Sequence, residues 1–254
     1  MPLASPFTPH NIAPMPTQSG ETLHLRADFS ARAVVRPEDY QWTDSPNAGV
    51  TRMMLDRQGN EVARATSLVH YAPGNQFTQH THHGGEELYV LAGEFADEHG
   101  RYPAGSYVRN PIGTQHSPFV GKEGATLFVK LHQFTQHYAK SVNIFTPDEH
   151  WSPSLVSGLS ALPLHQHEHE QVALVRWAPR TRFKRHKHWS GEEILVLSGV
   201  FRDEHGIYPV GSWLRSPYLS EHSPYTGDEG ALIYVKTGHL PPRNSYADIA
   251  PTAP

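Results

Sequence analysis

A histidine-rich motif occurs twice in this chain, and its positions recur at a constant offset of 106 residues. The first copy reads H-T-H-H-G-G-E-E from His80, and the second reads H-K-H-W-S-G-E-E from His186. Each copy has two histidines two residues apart, then a Glu-Glu pair, and a third histidine 36 residues after the first. Because order and spacing recur together, we predict two equivalent sites, formed by His80, His82, Glu86 or Glu87 and His116, and by His186, His188, Glu192 or Glu193 and His222.

The repetition extends well beyond these positions, since D-E-H-G, Y-P, G-S and H-S-P also recur at the same offset. A period this long indicates a duplicated domain rather than a solenoid. Each unit then has roughly 100 to 120 residues, a normal size for one compact core. We predict a disordered, Pro-rich arm over residues 1–22, a first domain over 23–140, a second over 141–243 and a tail over 244–254.

Composition excludes several classes of protein. The chain has no cysteine, so it has neither disulfides nor thiolate ligands or nucleophiles. Its net charge is -4 and it has no basic cluster, so we do not expect it to bind nucleic acid. No apolar run approaches the roughly 20 residues that span a bilayer. No secretion signal is visible either, so we expect a cytoplasmic protein with no membrane partner.

Short β-branched and aromatic runs alternate with Gly, Pro and Asp, which is typical of an all-β sandwich or barrel. Strands are predicted at 88–91, 106–109 and 125–131, and again at 194–197, 212–215 and 231–235. Each D-E-H-G is predicted to be a tight turn that exposes His99 or His205. The run H-Q-H-E-H-E at 165–170 is interpreted as a solvated turn.

The repeated motif has the chemistry of a metal site. Residues i and i+2 of a strand face the same side, so each His-x-His pair can point into a barrel together. Three imidazoles and a carboxylate suit iron, manganese, zinc, nickel or cobalt and suit calcium or magnesium poorly. We therefore predict a divalent transition metal at each of two sites, with zinc or iron as the first choice and manganese or nickel as alternatives.

Residues 73–93 resemble the first cupin motif, G-x5-H-x-H-x3–4-E-x6-G, and residues 105–116 resemble the second, G-x5-P-x-G-x2-H. The runs G-G-E-E-L-Y-V-L-A-G-E-F-A-D-E-H-G and Y-P-A-G-S-Y-V-R-N-P are closer still to ChrR-like cupins. The second copy departs at Arg180 and Leu219, where the motifs have glycine. The resemblance covers about 40–135 and 150–238, and it implies two cupin jelly-roll barrels in tandem, packed as an intramolecular pair.

For the site, the resemblance implies zinc bound by a His-x-His-x3-Glu set and a later histidine. That spacing selects Glu86 and Glu192, which we prefer as the predicted ligands, whereas the common cupin spacing would allow Glu87 and Glu193. The glutamate left over is expected to orient a histidine or to form a salt bridge. Arg109 and Arg215 are expected to form salt bridges as well.

Three functions are consistent with this pattern. Single-domain proteins that resemble this sequence cleave carbon–carbon bonds of dicarbonyl or hydroxy-ketone compounds. The resemblance therefore suggests a mononuclear-metal dioxygenase that acts on a small compound of one of these two kinds. The alternative is a ChrR-like sensor or regulatory cupin, although the cysteine-dependent anti-sigma domain has no counterpart in this chain. The third is a binding barrel whose metals are structural. In each case the partner is a small molecule, and exposed sheet edges also favour a homodimer.

Overall fold

The computed structural model describes residues 6–14, 22–134 and 140–240. The all-β class is confirmed, since regular structure in these ranges consists of strands and two short 3-10 helices at Pro37–Asp39 and Thr146–Asp148. The strands are β1 (His24–Leu25), β2 (Ala33–Val35), β3 (Trp42–Asp44), β4 (Val50–Gln58), β5 (Arg64–Tyr71), β6 (His80–Thr81), β7 (Glu86–Asp97), β8 (Gly100–Pro103), β9 (Ser106–Asn110), β10 (Gln115–His116), β11 (Phe119–Leu131), β12 (Val142–Phe145), β13 (Ser152–Pro153), β14 (Leu159–His167), β15 (Glu170–Trp177), β16 (His186–His188), β17 (Glu192–Asp203), β18 (Gly206–Pro209), β19 (Trp213–Ser216), β20 (Ser220–His222) and β21 (Tyr225–Thr237).

Each half of the chain forms one large antiparallel sheet and one two-stranded ribbon. The first large sheet has the order β1-β4-β5-β11-β7-β9-β12, with β3 paired to β4 and β8 paired to β7. The second has the order β13-β14-β15-β21-β17-β19-β2, with β18 paired to β17. The ribbons are β6 with β10 and β16 with β20. Both halves therefore repeat one topology, as the sequence repeat predicts.

The compact units do not follow the sequence repeat at their edges. Among the described residues, the first unit contains Gln41–Asp148, whereas Asp28–Tyr40 belongs to the second unit together with residues 149–240. The predicted domains, 23–140 and 141–243, follow the sequence repeat. They therefore place Asp28–Tyr40 in the first domain, whereas the structure groups it with the second unit. Residues 141–148 contain β12, the edge strand of the first sheet, although the predicted second domain begins at 141.

The exchanged strands β2 and β12 take equivalent places. Strand β2 pairs with β19 so that Ala33 lies opposite Arg215, and β12 pairs with β9 so that Val142 lies opposite Arg109. Since Arg109 and Arg215 are 106 residues apart, Ala33 and Val142 occupy the same position of the fold.

Of the two predicted terminal segments, only part of the N-terminal arm lies among the described residues. Within the predicted arm, Phe7 is buried and Ala13 forms a parallel bridge to Thr43. The tail at 244–254 lies outside the described residues. Over the described ranges the chain has no helix of the length and hydropathy that crossing a membrane requires.

The inner face of each large sheet carries an apolar core. In the first unit it includes Leu88, Val90, Phe95 and Leu127, and in the second Ile194, Val196, Phe201 and Ile233. Side chains alternate along a strand, so Glu86 faces the same side as Leu88 and Val90, and Glu87 faces the other side. The core and the repeated carboxylate therefore share one face of β7.

Near this core, one glycine in each unit lies very close to the backbone of the neighbouring strand. Gly93 has φ +70, and a Cβ added there would lie 2.0 Å from the carbonyl oxygen of Gly124. Gly199 has the same φ of +70, and its added Cβ would lie 2.3 Å from the carbonyl oxygen of Gly230. Pairing between β7 and β11 shifts register in this region. Only glycine fits both the conformation and the space.

We expect Gly93→Ala and Gly199→Ala each to lower the free energy of unfolding by more than about 1–2 kcal/mol, the cost of a left-handed conformation before the overlap is counted. Urea denaturation followed by circular dichroism measures this loss. Gly121→Ala is the control, since an added Cβ there meets nothing within 4 Å and its φ is not positive. Equal unfolding midpoints for the three variants would contradict the interpretation.

Candidate metal centres

The first cluster forms where the ribbon meets the start of β7. His80 lies directly opposite His116 in the β6–β10 pairing, and His82 follows β6. The Nε2 atoms of His82 and His116 are 3.0 Å apart. One ring nitrogen from each of the three histidines lies within 4.8 Å of the other two. Side chains distant in sequence thus converge on one point.

The second cluster repeats this arrangement and includes the carboxylate. His186 lies opposite His222 in the β16–β20 pairing. The Nε2 atoms of His188 and His222 are 3.1 Å apart, and Glu192 Oε2 is 3.5 Å from each. Ligand atoms of His186, His188, Glu192 and His222 all lie within 4.8 Å of one another.

The two glutamates of each Glu-Glu pair have different surroundings. Glu86 Oε2 lies 3.4 Å from His82 Nε2 and 3.8 Å from His116 Nε2. Glu87, on the opposite face, is buried and accepts from the guanidinium of Arg109. Glu193 accepts from Trp213 Nε1 at 2.7 Å and lies 3.1 Å from His239 Nε2. The structure therefore brings Glu86 and Glu192, not Glu87 and Glu193, to the histidines.

Hydrogen bonds orient two imidazoles in each cluster. His116 Nδ1 lies 3.0 Å from Asp97 Oδ2, and His222 Nδ1 lies 3.4 Å from Asp203 Oδ2. His80 Nδ1 lies 3.1 Å from the carbonyl oxygen of Thr78, and His186 makes the same contact with Lys184 at 3.1 Å. An Nδ1–H that donates to these oxygens leaves the Nε2 lone pair facing the cluster.

Sequence reasoning missed Asp97 and Asp203, because D-E-H-G was interpreted only as a turn. The turn interpretation itself holds: the carboxylate Oδ1 of Asp97 accepts from the backbone N–H of His99 at 2.8 Å and of Gly100 at 3.0 Å. His99 and His205 are exposed, as predicted. The recurrence of the aspartate in both copies was the available signal.

One further histidine prediction needs correction. In the run 165–170, the turn forms at Glu168 and His169, but His165 lies in β14 and is buried. Its Nε2 is 3.7 Å from a carboxylate oxygen of Glu170. His165 belongs to the sheet rather than to a solvated turn, because the strand continues further than the polar composition suggested.

Burial sets the protonation of the clusters. Burial lowers the pKa of His82, and it lowers that of His188 to about 3. Burial raises the pKa of Glu192 to about 7. For Glu86, burial acts in the same direction, but His82, His116 and a 3.0 Å hydrogen bond from Asn110 outweigh it and lower the pKa. The position of Asn110 is Ser216 in the second copy.

The donor sets fit a divalent transition metal. Two nitrogens that each bind one ion at about 2.1 Å, at a right angle, would be about 3.0 Å apart. The Nε2 separations of 3.0 Å and 3.1 Å agree with that right-angled geometry and are shorter than the roughly 3.4 Å of a tetrahedral zinc site. Calcium and magnesium prefer oxygen ligands, which these sets supply only once each.

A cavity borders each cluster, and the two differ in character. The first has about 590 Å³ and is lined largely by polar side chains, which include His82, His99, Tyr102, Asn110, His116 and Ser141. The second has about 220 Å³ and mostly apolar walls, which include Trp177, Phe183, Phe201 and Val235 beside His186, Glu192 and His222. The two centres are therefore open to different kinds of small molecule.

Comparison with known families decides the identity of both halves. The sequence model of the ChrR cupin-like domain matches residues 30–135 and again residues 139–241. The chain belongs to the ChrR cupin-like family. The resemblance seen in the motifs is thereby confirmed, and so is the prediction of two cupin domains in tandem.

Solved structures similar to this ChrR cupin-like chain share its fold at low sequence identity. One from Nostoc punctiforme, provisionally named a dioxygenase, has 15% identity and a TM-score of 0.65, with 87% of this chain and 84% of that chain covered. YlbA from Escherichia coli has 17% identity and a TM-score of 0.62, with coverage of 84% and 93%.

Oxalate decarboxylase from Bacillus subtilis, described with Mn(II) centres, has 14% identity and a TM-score of 0.57, with coverage of 83% and 78%. No curated protein matches the chain. At these identities the likenesses show the fold alone, so the function of this ChrR cupin-like protein has to be argued from its own residues.

We expect Asp97→Asn to weaken zinc binding at the first centre by roughly tenfold to a hundredfold, the usual effect of losing a partner of a ligating histidine. An asparagine NH2 facing His116 Nδ1 favours the tautomer whose proton occupies Nε2. Competition with a chromogenic chelator measures the affinity. Asp203→Asn should affect the second centre only, and unchanged affinity in both variants would contradict the assigned role.

Proposed function

We propose that this protein is a two-domain enzyme that binds a divalent transition metal in each unit and cleaves a small dicarbonyl or hydroxy-ketone compound with dioxygen. Both oxygen atoms would enter the products: a hydroxy-ketone would be cut between its two oxygenated carbons into two carboxylic acids, and a 1,3-dicarbonyl would be cut between a carbonyl carbon and the central carbon into a carboxylic acid and a 1,2-dicarbonyl. The observation that carries the proposal is the cavity beside each ligand cluster. A metal site with only a structural role is normally closed by its four protein ligands.

His80, His82, His116 and Glu86 would hold the first metal. His186, His188, His222 and Glu192 would hold the second. Iron or zinc is the first choice for this donor set, and manganese or nickel also suits it. A bound divalent metal supplies Lewis acidity and, where it is iron, one-electron chemistry toward dioxygen.

We assign the reaction to the second centre, because its cavity combines apolar walls with one free donor. Trp177 is 6% exposed and lines the cavity, and its indole N–H has no hydrogen-bond partner among the described residues. A buried donor without an acceptor is costly, so a small shift of the Trp177 ring that lets a substrate oxygen accept from it would gain binding energy. The apolar walls exclude water from the same space.

The surrounding rings fix the orientation of that donor. The centroid of Trp177 is 5.5 Å from Phe201 and 6.4 Å from Phe183. Phe183 in turn packs 4.7 Å from His186, and Phe201 packs 6.3 Å from His222. Without a metal, burial raises the pKa of Glu192 to about 7, so a metal that binds there near neutral pH would displace a proton from this carboxylate.

The similar structures support the choice of test compounds. One is provisionally named a dioxygenase and another is an oxalate decarboxylase described with Mn(II) centres. The first name denotes a reaction with dioxygen, and the second names oxalate as a substrate and Mn(II) as a metal. A ChrR-like sensor remains the alternative outcome, in which tightly held zinc accompanies no turnover.

Metal analysis comes first among the tests. Protein purified without a nickel column should contain close to two equivalents of iron, and His82→Ala and His188→Ala should each lose about one. Inductively coupled plasma mass spectrometry gives the content. His99→Ala is a matched control, since His99 is exposed and outside both clusters. Absence of metal from every preparation would overturn the proposal, and two equivalents of zinc would favour the sensor.

Oxygen uptake with a panel of dicarbonyl and hydroxy-ketone compounds tests the reaction itself. We expect Trp177→Phe to raise KM roughly tenfold with little change in kcat, because it removes one neutral hydrogen bond of about 1–1.5 kcal/mol and keeps an aromatic ring. Tyr71→Phe, at the equivalent position of the first unit, is the control. Loss of activity in His82→Ala but not in His188→Ala would refute the assignment to the second centre.

A further inference from the structure

The two units differ beside the aspartate that hydrogen-bonds to the third histidine of each cluster. This aspartate is Asp97 in the first unit and Asp203 in the second. In the second unit, Arg32 Nη2 lies 3.1 Å from Asp203 Oδ2 and donates to the hydroxyl oxygen of Tyr208 at 2.6 Å. Its guanidinium carbon lies 5.4 Å from the centroid of the Tyr208 ring. A second cation, Arg36, lies 5.6 Å from the same ring. Asp203 is thus neutralised by the chain itself.

In the first unit a small residue takes the place of that cation. Arg32 directly precedes β2 and Ser141 directly precedes β12, and these strands have equivalent registers on β19 and β9. Ser141 therefore occupies the position of Arg32. By the same register, Phe145 occupies the position of Arg36.

Asp97 and Tyr102 otherwise keep the contacts of their counterparts. The Tyr102 hydroxyl donates to Asp97 Oδ1 at 3.1 Å, as Tyr208 does to Asp203 at 2.9 Å. Throughout the described ranges, no lysine or arginine donates to Asp97 or to Tyr102. Once His116 is a neutral metal ligand, the charge of Asp97 has no cation of the chain to balance it.

The cavity of about 590 Å³ lies over this position. Tyr102, His99 and Ser141 line it, together with the amides of Asn110, Gln115 and Asn143. Its volume is within the range of roughly 300–1,000 Å³ that small-molecule sites have. Its polar side chains suit a charged ligand better than an apolar one.

We propose that this cavity binds a small molecule bearing a cationic nitrogen group, a guanidinium or a protonated amine, which takes the place that Arg32 holds in the second unit. The group donates to the hydroxyl oxygen of Tyr102, which itself donates to the buried Asp97, and its charge faces the Tyr102 ring and lies near the Asp97 carboxylate. This ligand is distinct from the oxygen-rich substrate assigned to the second centre. It gives the first unit a recognition role of its own.

The test uses methylguanidinium chloride as the probe, with saturation-transfer NMR and a titration at low ionic strength on the metal-loaded full chain. Wild-type protein should bind the probe at one site and should bind neutral N-methylurea at least tenfold more weakly. Ser141→Arg, which restores the cation of the second unit, should weaken probe binding at least tenfold. Ser141→Ala is the matched control and should leave binding unchanged.

A reciprocal variant tests the proposal without depending on the conformation that the arginine of Ser141→Arg adopts. Arg32→Ser should open the equivalent space beside Asp203 and raise the stoichiometry from one probe to two. The proposal is overturned by no saturation transfer to wild-type protein, by equal binding of N-methylurea, or by binding that Ser141→Arg does not weaken. Probe binding is measured without dioxygen or substrate, so its result and that of the oxygen-uptake assay are independent.

Discussion

The alternation of side chains at the start of β7 and of β17 governs both centres of this protein. It places Glu86 on the face of Leu88 and Val90, where the histidines converge, and Glu87 on the opposite face against Arg109. A shift of one residue would exchange the two carboxylates and would leave the buried Arg109 without its partner. Register in this strand is therefore fixed by charges on both faces as well as by apolar packing.

Duplication supplies an internal comparison that a single barrel lacks. The ligand residues are the same in both copies, but their neighbours differ: Asn110 against Ser216, Tyr71 against Trp177, and Ser141 against Arg32. Asn110 helps to lower the pKa of Glu86, Trp177 places an indole beside the second cluster, and Arg32 places a cation beside Asp203. The proposed difference between the two ligands depends on these neighbours rather than on the repeated histidines.

Much of the fold and of each ligand cluster could be predicted because the evidence was local or repeated. The spacing of His80 and His82, together with recurrence at 106 residues, indicated both strands and cluster. The choice between Glu86 and Glu87 could not be made from alternation, since Leu88, Tyr89 and Val90 are all buried. When both faces of a strand are covered, the sequence no longer alternates between apolar and polar residues.

The sequence by itself determined a duplicated all-β chain, its two cupin motifs and the histidines of each cluster, since these depend on short spacings that one strand or turn fixes. Only the tertiary structure decided which glutamate joins the histidines, that Asp97 and Asp203 orient them, and that β2 and β12 are exchanged at the sheet edges. It also decided that Arg32 fills a space that stays open beside Ser141. These outcomes depend on residues far apart in sequence, and strand pairing in three dimensions, rather than spacing along the chain, brings such residues together.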